Sequence, residues 1–112
     1  MTDALLDPTR LAKLRKLGGD TLVTSLIDSF LAEAPSRRAA LEGGDLAAAA
    51  QVAHTLVAGA GQLGATLLGE QAKLLDEAHR RHDEAEVRQL AKQVLTTYDQ
   101  ALAALRRYRE TV

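Results

Sequence analysis

Leu46, Ala49, Ala53, Leu56, Ala60 and Leu63 recur along this chain at alternating steps of three and four. That period belongs to one face of an α-helix and is incompatible with the two-residue alternation of a strand. Val87, Leu90, Val94, Tyr98, Leu102 and Leu105 form a second such stripe. Leu68, Ala72 and Leu75 form a third, with Leu67, Leu74 and Ala78 beside it, and Leu22, Leu26, Phe30 and Ile27 a fourth. Each stripe must be buried against another helix, so the spacing predicts an all-α fold.

Turn and capping residues divide these stripes. Asp7-Pro8 predicts the start of a short helix over about 8–17, which Gly18-Gly19 should end. Asp20 is placed to cap a second helix, bent or split near Ala34 because Pro35 removes a backbone donor, with its pattern resuming through Ala39 and Leu41. Gly43-Gly44 closes that segment, and Asp45 can cap a third helix ending between Ala60 and Gly64. A fourth is expected over about 65–81, and Asp83 can cap a fifth over about 84–111. The expected architecture is one domain, residues 1–112: an antiparallel up-down four-helix bundle with a short additional N-terminal helix.

Composition narrows the function classes. There is no cysteine, which excludes disulfides, thiolate catalysis and cysteine zinc sites. A formal net charge of −1 argues against nucleic acid as the partner. Met1-Thr2-Asp3 lacks the basic and apolar regions of a signal peptide, so a cytoplasmic protein is expected. The run 46–69 has no fixed charge and is about as long as a membrane span, but it is mostly Ala and Gly and contains Gln51, His54 and Gln62. No glycine-rich phosphate loop is present, so ATP-using enzyme chemistry is not expected. His79 and His82, three apart, can share a helix face. Without a further ligand at defined spacing they read as part of a solvated basic cluster with Arg80 and Arg81, and no metal site is expected.

The charge-free run holds the candidate site. His54 is its only ionisable side chain. It follows the seam residue Ala53 and should point outward at the edge of the seam. Ala50 and Ala58 lie one turn away, Ala47 and Gly61 two turns away. An imidazole in a strip of small side chains lets another protein approach the helix backbone closely, and long charged side chains would obstruct it. Spacing alone favours the simpler reading, a solvated histidine on an Ala-rich helix. With the third helix turning near Leu63-Gly64, the fourth brings residues in the low to middle seventies back to the level of His54. Lys73, Asp76 and Glu77 are the polar candidates there.

The run Ala53-His54-Thr55-Leu56-Val57-Ala58-Gly59-Ala60-Gly61-Gln62-Leu63-Gly64-Ala65 resembles the signature of histidine phosphotransfer (HPt) domains, approximately A-H-x-L-K-G-x-x-x-x-L-G-A. His54, Leu56, Leu63, Gly64 and Ala65 match in register. Asp7-Pro8, the Leu-Gly-Gly-Asp run at 17–20, the Phe-Leu-x-x-Ala-Pro run at 30–35 and the Gly44-Asp45 turn resemble the family's remaining landmarks. Two positions depart from it: Val57 stands where the family usually has Lys, and Ala58 where it has Gly. The segment between Pro35 and Gly43 is also about one helical turn short.

The resemblance implies a phosphoryl carrier rather than an enzyme, relaying phosphate between receiver-domain aspartates through phospho-His54 in a two-component phosphorelay. The implied partners are receiver domains of a hybrid histidine kinase or a response regulator, with Mg2+ supplied by the receiver and no cofactor of the chain's own. Ala47, Ala50, Gln51, Val57, Ala58 and Gly61 are the expected docking residues of a monomeric protein. By the same resemblance Asp76, where the family carries Glu or Gln, orients the imidazole. Because Val57 cannot contact phosphate, Lys73 is the first candidate for a replacement cation and Arg80 the second. The departures leave two alternatives open: an adaptor that binds a receiver or kinase without being phosphorylated, and a structural helical dimerisation module.

Overall fold

The computed structural model describes residues 5–112, so the start of the chain on which the signal-peptide argument rests lies outside the described residues. Five helices follow in order: α1 (Pro8–Ala32), α2 (Ala34–Glu42), α3 (Leu46–Gln62), α4 (Thr66–Arg80) and α5 (Glu84–Glu110). The backbone leaves helical geometry inside α1 at Gly19 (φ 70°, ψ −168°), where the glycine pair predicts a break. This region of φ is open to glycine and strained for other residues. The segment before the kink is the expected extra helix. Asp20, expected as a cap, has its carboxylate engaged by Arg15 Nε at 2.8 Å.

The rest of α1 and α2 form one arm of the bundle. Glu33 between them keeps helical angles (φ −78°, ψ −11°), and Pro35 in the first turn of α2 accounts for the lost donor. The other arms are α3, α4 and α5, giving a four-arm all-α bundle 42 × 24 × 24 Å in extent. No helix among the described residues is long and apolar enough to cross a membrane.

The core follows the stripes, with corrections on α1, α2 and α4. Ala53, Leu56, Ala60, Leu68, Ala72, Leu75, Val87, Val94 and Leu105 are buried as expected. On α1 the buried stripe is Val23, Ile27 and Phe30, while Leu22 and Leu26 are only partly buried and pack on its edge. The kink at Gly19 sets the rotation of the following segment, and the run of apolar residues at 22–27 offers two interleaved sets. Ala39, expected in the pattern of α2, is exposed, and Leu74 on α4 is half exposed.

Small residues bring α3 and α4 close together. A Cβ placed on Gly69 would lie 3.9 Å from Ala60 Cβ, Gly61 N and Val57 O, so the two backbones meet at van der Waals distance there. Ion pairs tie the arms together: Arg38 donates to both carboxylate oxygens of Asp99 at 2.6 and 2.9 Å, joining α2 to α5. Arg109 does the same with Asp28, joining α5 to α1, at 2.9 and 3.2 Å. These arginines hold both carboxyls below the usual carboxylate range, chiefly through the hydrogen bonds.

Leu63-Gly64-Ala65 has a clear structural task. Gly64 takes φ +77°, and the N–H groups of Ala65 and Gly64 donate to the carbonyls of Ala60 (2.8 Å) and Gly61 (3.2 Å). This is a glycine-terminated helix end that satisfies the last carbonyls of α3. The Gly64 carbonyl accepts from the Asp7 N–H at 2.7 Å, which seats the start of α1 on the end of α3. A Cβ on Gly64 would come within 2.9 Å of the Asp7 carbonyl oxygen.

Candidate phosphoacceptor site on the α3–α4 hairpin

Asp45 starts α3 by accepting from the N–H groups of Ala47 (3.0 Å) and Ala48 (3.2 Å). The seam of the helix then fixes its rotation, with Ala49, Ala53, Leu56 and Ala60 turned inward. His54, one residue past Ala53, is carried onto the outer edge, and its side chain is 71% exposed. The turn through Gly64 sends α4 back alongside, and Asp76 arrives opposite His54.

Nδ1 of His54 lies 3.4 Å from Oδ2 of Asp76, a long hydrogen bond. A carboxylate can only accept, so the contact is a hydrogen bond when the proton is on Nδ1, which leaves the lone pair on Nε2. Asp76 is only 15% exposed, and the same Oδ2 accepts from a terminal nitrogen of Arg80 at 3.0 Å. The site is therefore a chain of three side chains, imidazole, carboxylate and guanidinium, meeting at one oxygen. An exposed imidazole whose inner nitrogen is engaged can act as a nucleophile through the outer one.

Most of the expected docking residues surround this group. Ala47, Gln51, Ala58 and Gly61 are exposed, and Val57 is 37% exposed. Ala50 is the exception: at 4% exposure it belongs to the core and cannot line an outer face. Four residues overshoot a full helical turn by about 40°. Ala50 is displaced from His54 toward the Ala53 side of the seam, and Ala58 away from it. Lys73 is exposed on α4 and makes no hydrogen bond or ion pair among the described residues.

The Asp76–Arg80 bond was not anticipated, although the four-residue spacing of opposite charges on one helix signals it. His79 and His82 do not share a helix face, because α4 ends at Arg80 and His82 takes φ 59° in the turn beyond. No group of three or more metal-ligating side chains occurs among the described residues.

Residues 25–108 match the family model described as Hpt domain, three quarters of the chain. The chain belongs to the Hpt domain family. Its fold is that of a solved relative, the histidine-containing phosphotransfer protein B (HptB) from Pseudomonas aeruginosa PAO1, with a TM-score of 0.85 at 25% identity over 99% of both chains. No curated protein sequence matches the chain. Hpt domains are phosphocarriers in phosphorelay signalling, and family and fold together support histidine phosphotransfer as the activity of this Hpt domain protein.

Proposed function

We propose that the chain accepts a phosphoryl group on Nε2 of His54 from an aspartyl phosphate of a receiver domain and returns it to a second receiver. The observation that carries this reading is the exposed imidazole with its Nδ1 against the largely buried carboxylate of Asp76. In the forward step the Nε2 lone pair attacks phosphorus. The N–P bond forms as the P–O bond to the donor aspartate breaks, and the electron pair leaves with that carboxylate. The Nδ1 proton stays on the ring, where Asp76 balances the positive charge that the imidazole acquires. Such a transfer demands mainly positioning and charge neutralisation from the protein.

The partners that fit this chemistry are receiver domains of a hybrid kinase or a response regulator, with Mg2+ contributed by the receiver. They would dock over Ala47, Gln51, Val57, Ala58 and Gly61 on a monomeric bundle. Incubation with a phosphorylated receiver tests the reading: label should move to wild type and not to His54→Gln. Transfer to the variant would overturn it. Val57, standing where the family usually has Lys, favours one second reading, an adaptor that binds receivers without accepting phosphate. Binding without transfer would select it.

A further inference from the structure

The Asp76 carboxylate is shared by two partners before any phosphate arrives. The guanidinium of Arg80 donates to Oδ2 at 3.0 Å, and His54 Nδ1 lies 3.4 Å from the same atom. No more than the sum of those two distances separates the guanidinium from the imidazole. Neutral His54 and Asp76⁻–Arg80⁺ are electrically matched in this state.

Phosphorylation changes the matching. With a proton on Nδ1 and a phosphoryl group on Nε2, the ring becomes cationic and the phosphoryl group brings close to two negative charges. The ring then competes for Asp76 as its counter-ion, and the phosphoryl oxygens compete for the guanidinium. The pair to be broken is weak, since the Arg80 side chain is 67% exposed and water screens its charge. The contact to be gained is a charge-assisted bond between guanidinium and phosphate, among the stronger hydrogen bonds in proteins.

We propose that Arg80 is the phosphate-binding cation of this site, exchanging the Asp76 carboxylate for the phosphoryl oxygens as His54 is loaded. This rests on the reading of His54 as the phosphoacceptor. Arg80 replaces the charge that Val57 cannot supply, from the facing helix. Lys73 is exposed, but among the described residues no hydrogen bond or ion pair holds it beside the imidazole.

The experiment uses phosphoramidate, a small donor that carries no receiver surface: its N–P bond breaks, ammonia leaves, and the phosphoryl group joins Nε2. Arg80→Ala should slow the initial rate of His54 phosphorylation about tenfold, Arg80→Lys should recover most of it, and Lys73→Ala should match wild type. A role exerted only through Asp76 would vanish in an Asp76→Ala background. A direct role predicts that Arg80→Ala still costs about tenfold there. In wild type the Arg80 side-chain Nε–H resonance should shift when His54 is phosphorylated. A wild-type rate for Arg80→Ala, or loss of its effect in the Asp76→Ala background, overturns the proposal while leaving His54 as the acceptor. Failure of wild type to load His54 from phosphoramidate or from a phosphorylated receiver would sink both.

Discussion

Nδ1 of His54 and Oδ2 of Asp76 stand 3.4 Å apart across the α3–α4 interface, one group largely exposed and the other only 15% so. The buried partner is the fixed one, so Asp76 sets the orientation of the ring rather than the reverse. Asp76→Ala should slow receiver-to-His54 transfer about tenfold, the worth of one charge-assisted hydrogen bond, with unchanged receiver affinity. Stopped-flow transfer rates set beside equilibrium binding check this. A matching loss of affinity would place Asp76 in the docking surface instead.

Val57 is 37% exposed on the same face as His54. Val57→Lys should raise the transfer rate from a phosphorylated receiver by about tenfold, through a second cation near the phosphoryl oxygens. If wild type accepts no phosphate and Val57→Lys does, the natural protein is an adaptor that has lost its chemistry. An unchanged rate would mean that the site is already saturated in positive charge.

Ala58 is exposed one turn beyond His54, in a strip free of fixed charge. Ala58→Arg should weaken binding to a cognate receiver by at least about tenfold, through steric and charge mismatch. Because the side chain points to solvent, helical circular dichroism and Tm should not change. Undiminished affinity would move the docking face elsewhere on the bundle.

Tyr98 is wholly buried, packed edge-on to Phe30 at 5.7 Å, and its hydroxyl has no hydrogen-bond partner among the described residues. Burial pushes the phenol's pKa up, with the charge of Arg37 pulling the other way. The proton is held in both folded and unfolded chains below about pH 10. Above that the unfolded chain releases it first, so stability falls as pH rises toward the folded value. Tyr98→Phe should leave the unfolding free energy at pH 7 unchanged or raise it by up to about 1 kcal/mol, because it removes an unpaired hydroxyl. It should also flatten the decline in Tm above about pH 10. A clear loss at pH 7 would mean that the hydroxyl has a stabilising partner.

The stripes of α3, α4 and α5 were legible because each is a single run whose period admits one buried face. Val23 was not, because Leu22 and Leu26 offer a rival stripe one residue out of phase with Val23 and Ile27, and the choice between them belongs to the kink at Gly19. At the site, the level of Asp76 could be counted through the turn at Gly64, so the partner of His54 was readable. The burial of Ala50 was not, because it depends on how the neighbouring arms cover α3 rather than on the α3 sequence. The sequence offers Arg80 only as the second candidate cation, although its four-residue spacing from Asp76 implies a bond between them.

The turn through Gly64 has a consequence for how the reactive group comes into being. His54 and Asp76 are only 22 residues apart, on two helices joined by a turn that caps itself. Contacts at such short range close small loops and carry little entropic penalty, so the pair can assemble early, as a local event. The Asp7–Gly64 bond, by contrast, must wait until α3 has ended and the chain start finds it. The reactive pair is thus modular: variation in the first segment, which lies outside the family match, can reshape the end of the bundle without disturbing the alignment of imidazole and carboxylate.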